Sequence, residues 1–241
     1  MATFTGPEIA TDKLILCLDA SNPKSYPGTG GFWYDLSNRN NHFKVNSTAY
    51  SSSEGGFFNF QNPYGYAKTV SNADVKDSNG NDLEGDVTYI ALTRVKNSTA
   101  EWRTLTRSYS ADHHVIIQSG GWNVGMYDNN GSGFIGTGFD QRNLPGYNTF
   151  SFDFMCWRWS NNDTPTYDFS VNNVQRGTIS NSNARYNRGF GIVGGYHNGS
   201  TDVNVGSQPW GDINYFAVYD KRLTDEEVTR CYKSLRLRYG L

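Results

Sequence analysis

The side chains able to do chemistry in this chain are few and scattered. Three cysteines, Cys17, Cys156 and Cys231, each stand between apolar neighbours (LILCLDA, FDFMCWRW, TRCYKSL). That is the setting of buried free thiols, and it offers neither a disulfide framework nor a CxxC metal pair. No nucleophile signature surrounds Cys156 or Cys231, and none of the four histidines falls in a triad context. His113 and His114 are adjacent, but neighbours on a strand point to opposite faces, so the pair cannot readily ligate one ion. Asp153 is a lone acid among aromatics in TFSFDFMCWRW, whereas hydrolysis of a glycosidic bond needs two carboxylates. Binding, not catalysis, is the expectation.

The elements that would carry these groups are strands. The 241 residues include 16 Tyr, 14 Phe, 6 Trp and 26 Gly, and Glu, a good helix former, is scarce. Aromatics favour pleated, half-buried surfaces and glycines favour turns. A chain of this length is expected to fold as one large domain, with enough core to need no disulfide or metal. A net charge of -2 lacks the basic footprint of a nucleic-acid binder, and no apolar run approaches the ~18 residues that insert in a membrane. The segment MATFTGPEIATDK has no charged stretch followed by an apolar one, so no secretory signal is expected and folding in a cytoplasm is.

KLILCLDA, GGFFNFQ, GYAKTV, DVTYIALTRV, HHVIIQSG, GWNVGMYD, GFIGTGF, NTFSFDFMCWRWS, TYDFSVNNVQRGTI and GFGIVGGYH read as strands between Gly, Asn, Ser and Pro clusters. With the closing INYFAVY this predicts roughly ten to thirteen strands. DVTYIALTRV is apolar on both faces and is expected to be covered on both. Residues 71–85 read as an insertion within the domain, and residues 1–12 as an N-terminal arm, either an attachment segment or a simple disordered terminus. The domain spans 13–241. Near its end, Thr224 and Glu227 predict a capping box, with Leu223 and Val228 as a hydrophobic staple. Asp225, Glu226 and Glu227 begin the helix and Lys233, Arg236 and Arg238 end it, as the macrodipole favours. Val228, Cys231, Tyr232 and Leu235 form the stripe that must lie on the sheet.

GDINYFAVYDKRLTDEEVTRCY resembles the closing strand and helix of the laminin-G-like, concanavalin A-like lectin/glucanase jelly rolls. DFSVNNVQRG resembles their strand, turn, strand segment, with Asn173 in place of the usual glycine. LDASNPKSYPGTGGFWYDLSNRNNHFKV, followed by GGFFNFQNPYGYAKTV, resembles their opening. The likeness runs over roughly residues 13 to 235 and implies an all-β, concanavalin A-like antiparallel β-sandwich (jelly roll) with one short C-terminal α-helix. The opening also resembles the version of this domain in structural proteins of tailed bacteriophages. That implies a non-enzymatic virion protein, made in the host cytoplasm, that decorates the capsid or a fibre by docking on other virion proteins.

An alternative is an adhesion or receptor-binding lectin for host or environmental polysaccharide. A polysaccharide-degrading enzyme is disfavoured, because the Glu-x-Asp-x-Glu triplet of the glucanase branch is absent. Asp19, Asp35 and Asn41 match acidic or amide positions of the family's opening, where relatives often hold Ca²⁺, a hard cation suited to oxygen ligands. Turn shaping by Asp35 and Ser37 is the other reading, and Asn38 and Asn40 replace the family's loop glycines. No motif requires a cofactor, so Ca²⁺ is the candidate ion. For glycan stacking, the loop-like candidates are Trp122, Tyr127, Tyr196, Asn198 and Trp210. Homo-oligomerisation stays open.

Overall fold

The computed structural model describes residues 8–46, 48–61, 65–95, 101–110, 112–129, 131–147, 149–180, 189–196 and 208–240. In chain order the strands are β1 (Leu14–Asp19), β2 (Phe32–Trp33), β3 (Phe43–Asn46), β4 (Ala49–Ser51), β5 (Phe57–Asn59), β6 (Tyr66–Thr69), β7 (Val87–Val95) and β8 (Arg103–Arg107). They continue as β9 (His113–Ile117), β10 (Asn123–Asp128), β11 (Gly133–Asp140), β12 (Asp153–Ser160), β13 (Thr166–Val171), β14 (Val174–Ser180), β15 (Ile192–Val193) and β16 (Gly211–Tyr219). A single α-helix, α1 (Asp225–Tyr239), follows. The expected strand count is exceeded, because β2, β3 and β4 are pieces of two to four residues with too little periodicity to read. One five-residue strand, β8, escaped the sequence reading because arginines stand at both of its ends.

The strands form two antiparallel sheets, an all-β sandwich with a C-terminal helix. The first runs β14-β13-β12-β7-β16-β5-β4, with β1 also paired to β16; the second runs β11-β10-β9-β8-β15-β6-β3-β2. Side-chain alternation then dictates the layers. Val87, Tyr89 and Ala91 of β7 face Leu105, Val115 and Ile117 of the second sheet in the inter-sheet core, which also holds Trp33, Trp157, Trp159 and Trp210. Ile90 and Leu92, on the other side of β7, join Phe154, Cys156, Ala217 and Tyr219 in a second core beneath α1. Both faces of β7 are covered, as its apolar run requires.

Helix α1 begins with the expected capping box. Thr224 Oγ1 accepts from the Glu227 N–H at 3.2 Å, and the Thr224 N–H donates back to Glu227 Oε2 at 2.9 Å. Val228, Cys231 and Leu235 bury the apolar stripe. At the far end Arg238 is not merely dipole-matched surface: it pairs with the buried Asp19 of β1 at 2.6 Å. The Tyr239 hydroxyl donates to the same carboxylate at 2.8 Å. The end of the N-terminal arm belongs to this layer. Ala10 is buried, its N–H donates to Cys231 Sγ, and its carbonyl accepts from the Tyr219 hydroxyl. Residues 1–7 lie outside the described residues. The 71–85 insertion contributes Val75 and Leu83 to the inter-sheet core. All three cysteines are free and buried, and burial pushes Cys17 and Cys156 up to about 12.

Because the capping box satisfies two helix-end donors at once, Thr224→Ala is expected to cost about 1 kcal/mol of stability. Urea unfolding followed by circular dichroism reads this directly, and an unchanged midpoint would show that the cap is not holding the helix.

Candidate functional site

Helix α1 covers the outer face of the first sheet, which leaves the outer face of the second as the large sheet surface without a covering helix. Register decides what stands there. On β3 and β6, Phe43, Val45 and Ala67 turn inward, so Lys44, Asn46, Tyr66 and Lys68 turn outward. Phe32 pairs with Lys44, Lys44 with Lys68, Lys68 with Ile192, and Ile192 with Arg107. Since directly paired residues share a face, this is a row across five strands that carries three cations, of which Lys44 is exposed, Lys68 half-buried and Arg107 buried.

Two bulges shape the neighbouring part of the face. Thr104 pairs with Ile116 but Thr106 with Val115, so β8 holds one extra residue. A second irregularity between Gly125 and Tyr127 places His113 opposite Tyr127, which pairs in turn with Phe134. A bulge reverses the in-out alternation beyond it, so His113 faces out although Val115, two residues on, faces in.

The result is an aromatic cluster. Trp102 lies edge-on to Tyr127 at 5.4 Å and to Phe134 at 5.5 Å. Tyr196 stacks on His113 at 5.9 Å and 19°. The Arg107 guanidinium lies 4.6 Å from the centre of the Tyr196 ring. Trp102, Tyr127, Phe134 and Tyr196 are half-buried, with rings anchored by their neighbours. Such rings are rigid stacking surfaces.

Burial drives His113 down to about 3, with the nearby Arg107 charge acting in the same sense. It is therefore neutral in the fold. Thr104 Oγ1 donates to Gln208 Oε1 at 2.7 Å and lies 3.1 Å from His113 Nδ1. The hydroxyl proton is thus engaged, and the imidazole must carry its own proton on Nδ1, which leaves Nε2 as an acceptor.

Of the sequence candidates, Tyr127 and Tyr196 meet at this cluster through His113. Trp122 does not: it caps the β9–β10 turn, 5.5 Å from the Arg142 guanidinium. Trp210 is a correction. It is wholly buried, donates its indole N–H to Thr93 Oγ1 at 2.7 Å and packs against Trp157, so no ligand can stack on it. Asn198 lies outside the described residues. The residues that sequence reasoning missed, Trp102, Arg107, His113 and Phe134, sit on or beside strands whose facing the bulges reset.

Asp19, Asp35 and Asn41 are engaged by protein donors. Asp19 faces Arg238, Tyr239 and Ser21. Asp35 accepts from the N–H groups of Cys17, Ser37 and Asn41 and from the Ser37 hydroxyl. Asn41 donates to the Ile15 carbonyl. The turn-shaping reading accounts for these bonds. Asn38 and Asn40 take the left-handed conformation, at φ 68° and 58°, which asparagine tolerates better than most residues. Among the described residues, no three His, Cys, Asp or Glu side chains are grouped to hold a metal ion. His113 and His114 diverge as expected, the second lying among Tyr89 and Trp159 in the core.

No family model and no curated protein matches the chain. Solved structures do match its fold. A Trypanosoma rangeli sialidase in complex with sialic acid is similar with a TM-score of 0.58 and 12% identity over 93% of this chain. The botulinum neurotoxin serotype D binding domain is similar with a TM-score of 0.62 and 16% identity over 95%. The binding domain of botulinum neurotoxin DC in complex with SialylT gives 0.61 and 14% over 93%. The chain spans 33% of the sialidase and 53% and 52% of the two toxin domains. At these identities the likeness is one of fold.

The neutral state of His113 has a consequence for stability. Its proton affinity is that of an ordinary imidazole, 6.5, in the unfolded chain and about 3 in the fold. The contribution is therefore complete above pH 6.5 and is lost progressively as pH falls towards 3. His113→Gln should lose less melting temperature than the parent protein between about pH 7 and about pH 4.5. Equal losses would mean that His113 is not held neutral.

Proposed function

We propose that the protein is a non-enzymatic carbohydrate-binding module that recognises acidic glycans on the outer face of its second sheet. The observation that carries this reading is the juxtaposition on one face of the Trp102, Tyr127, Phe134 and Tyr196 rings with the Lys44, Lys68 and Arg107 row. Half-buried rings offer contact surface for a pyranose, Gln208 offers hydrogen bonds to hydroxyls, and the accessible Lys44 and Lys68 favour a sugar carboxylate or sulfate. The sialic acid and SialylT complexes among the structures of similar fold support the choice of ligand class. A binding role also agrees with the sequence's want of a paired carboxylate. Asp153 is held by the Gly146 N–H and by Asn172.

The setting belongs to the proposal too. Resemblance of the opening motif to phage structural proteins supports a virion component, on the capsid or a fibre, docked on other virion proteins. Immunogold labelling of purified particles should then decorate intact virions, and label confined to unassembled protein would reject that setting.

Binding itself is tested by calorimetry with sialyllactose and lactose. The sialylated sugar should bind more tightly, and Tyr127→Ala or Tyr196→Ala should weaken it by about tenfold, near 1.4 kcal/mol. Trp122→Ala should leave it unchanged. Lys44→Ala should reduce the preference for the acidic sugar while sparing lactose. Loss of affinity in Trp122→Ala with none in the tyrosine variants would place binding elsewhere.

A further inference from the structure

A concavity lies on the opposite side of the molecule from the aromatic face, between the C-terminal end of α1 and the outer face of the first sheet. It encloses about 410 Å³, within the usual range for small-molecule sites. Leu92, Phe152 and Asp153 line it from the sheet, and Tyr232, Tyr239 and Gly240 from the helix. Glu54, Asn172 and Asn214 also line it.

Its polar atoms are mostly acceptors. Asn214 sits at a β16 irregularity between Ile213 and Tyr215 and is completely buried. Its Nδ2 donates to the carbonyls of Gly56 and Glu54, which fixes the amide orientation. Oδ1 is then the buried atom left without a protein partner, and such an orphan is costly unless something donates to it. Asp153 is almost fully buried and, among the described residues, accepts from the Gly146 N–H and Asn172 Nδ2. Burial raises its proton affinity above the ordinary carboxylate range, the mark of a charge short of compensation. The exposed Glu54 adds a second acid. Its neighbour Arg94 is engaged by Asp212 and the Phe150 carbonyl as well as by Glu54 at 3.2 Å. The last turn of α1 brings the negative end of the helix dipole to the same place. Aromatic rings wall the space.

We propose that this cavity binds a small organic primary amine, about one sugar ring in size. An ammonium carries three donors and no acceptor, which suits Asn214 Oδ1, Asp153, Glu54 and the helix end together. The ring of Tyr232, which lines the space from the helix, adds cation–π attraction. A neutral polyol would bring acceptors that find few donors here.

The test is ¹H–¹⁵N shift mapping of the whole chain with D-glucosamine and D-glucose, two rings of one size that differ in the ammonium. Glucosamine is expected to shift residues 151–153, 172, 214 and 232 and to bind at least about tenfold more tightly than glucose. Glu54→Gln, at an exposed site, should weaken glucosamine several-fold, and Tyr232→Leu should do the same. Equal affinity for the two sugars, shifts confined to the other sheet, or an unaltered titration in both variants would overturn the assignment. Because this cavity and the aromatic face lie on opposite sheets, failure here is distinct from failure of acidic-glycan binding there.

Discussion

Helix α1 has one apolar stripe, and the fold depends on where that stripe is buried. Val228, Cys231 and Leu235 lie against Ile90, Phe154, Cys156 and Ala217, so the first sheet is apolar on both sides. The helix is held at both ends. Thr224 and Glu227 cap its start, and Arg238 and Tyr239 converge on Asp19 at its finish. Asp19 is 1% exposed, so its charge must be compensated within the protein, and the guanidinium at 2.6 Å does this. Breaking such a pair from one side leaves a buried charge, which ties the end of the chain to its first strand.

With the first sheet covered by α1, the second has no helix over its outer face, and its sequence is more polar there. Lys44, Lys68, Thr104 and Arg107 stand where β7 and β16 carry apolar residues. The bulges on β8 and β9–β10 do more than interrupt pairing. They turn His113 outward beside Tyr127 and leave Val115 in the core. An aromatic-polar surface is thus mounted on strands rather than on free loops, which gives the rings fixed spacing. The same coverage of the first sheet creates the acceptor-lined cavity at the helix end, because the β16 irregularity at Asn214 and the last turn of α1 do not close on each other.

Much of this architecture was legible in the residues. The capping box reads directly from Thr224 and Glu227, and the double coverage of β7 from its uninterrupted apolar run. The turn role of Asp35 was legible as one of two readings, since DLSN is a sequence that bonds its own backbone. The site was legible only in part. Tyr127 and Tyr196 stood out as aromatics beside glycines, but SQPWGD made Trp210 look like a loop residue, whereas its indole N–H finds Thr93 inside the sandwich. Trp102 precedes and Arg107 ends a strand hidden by its own arginines. His113 reads as an inward residue by simple alternation, and only the bulge reverses it. Bulges are properties of pairing between distant segments, so no local pattern announces them.

Ligand recognition is proposed for the uncovered sheet. A crystal structure of the protein soaked with a sialylated oligosaccharide tests it most directly. A pyranose ring is expected against Tyr127 and Tyr196, with its carboxylate directed to Lys44 and Lys68. Sugar bound instead at the Trp122 turn or over α1, with the second sheet's face empty, would contradict it.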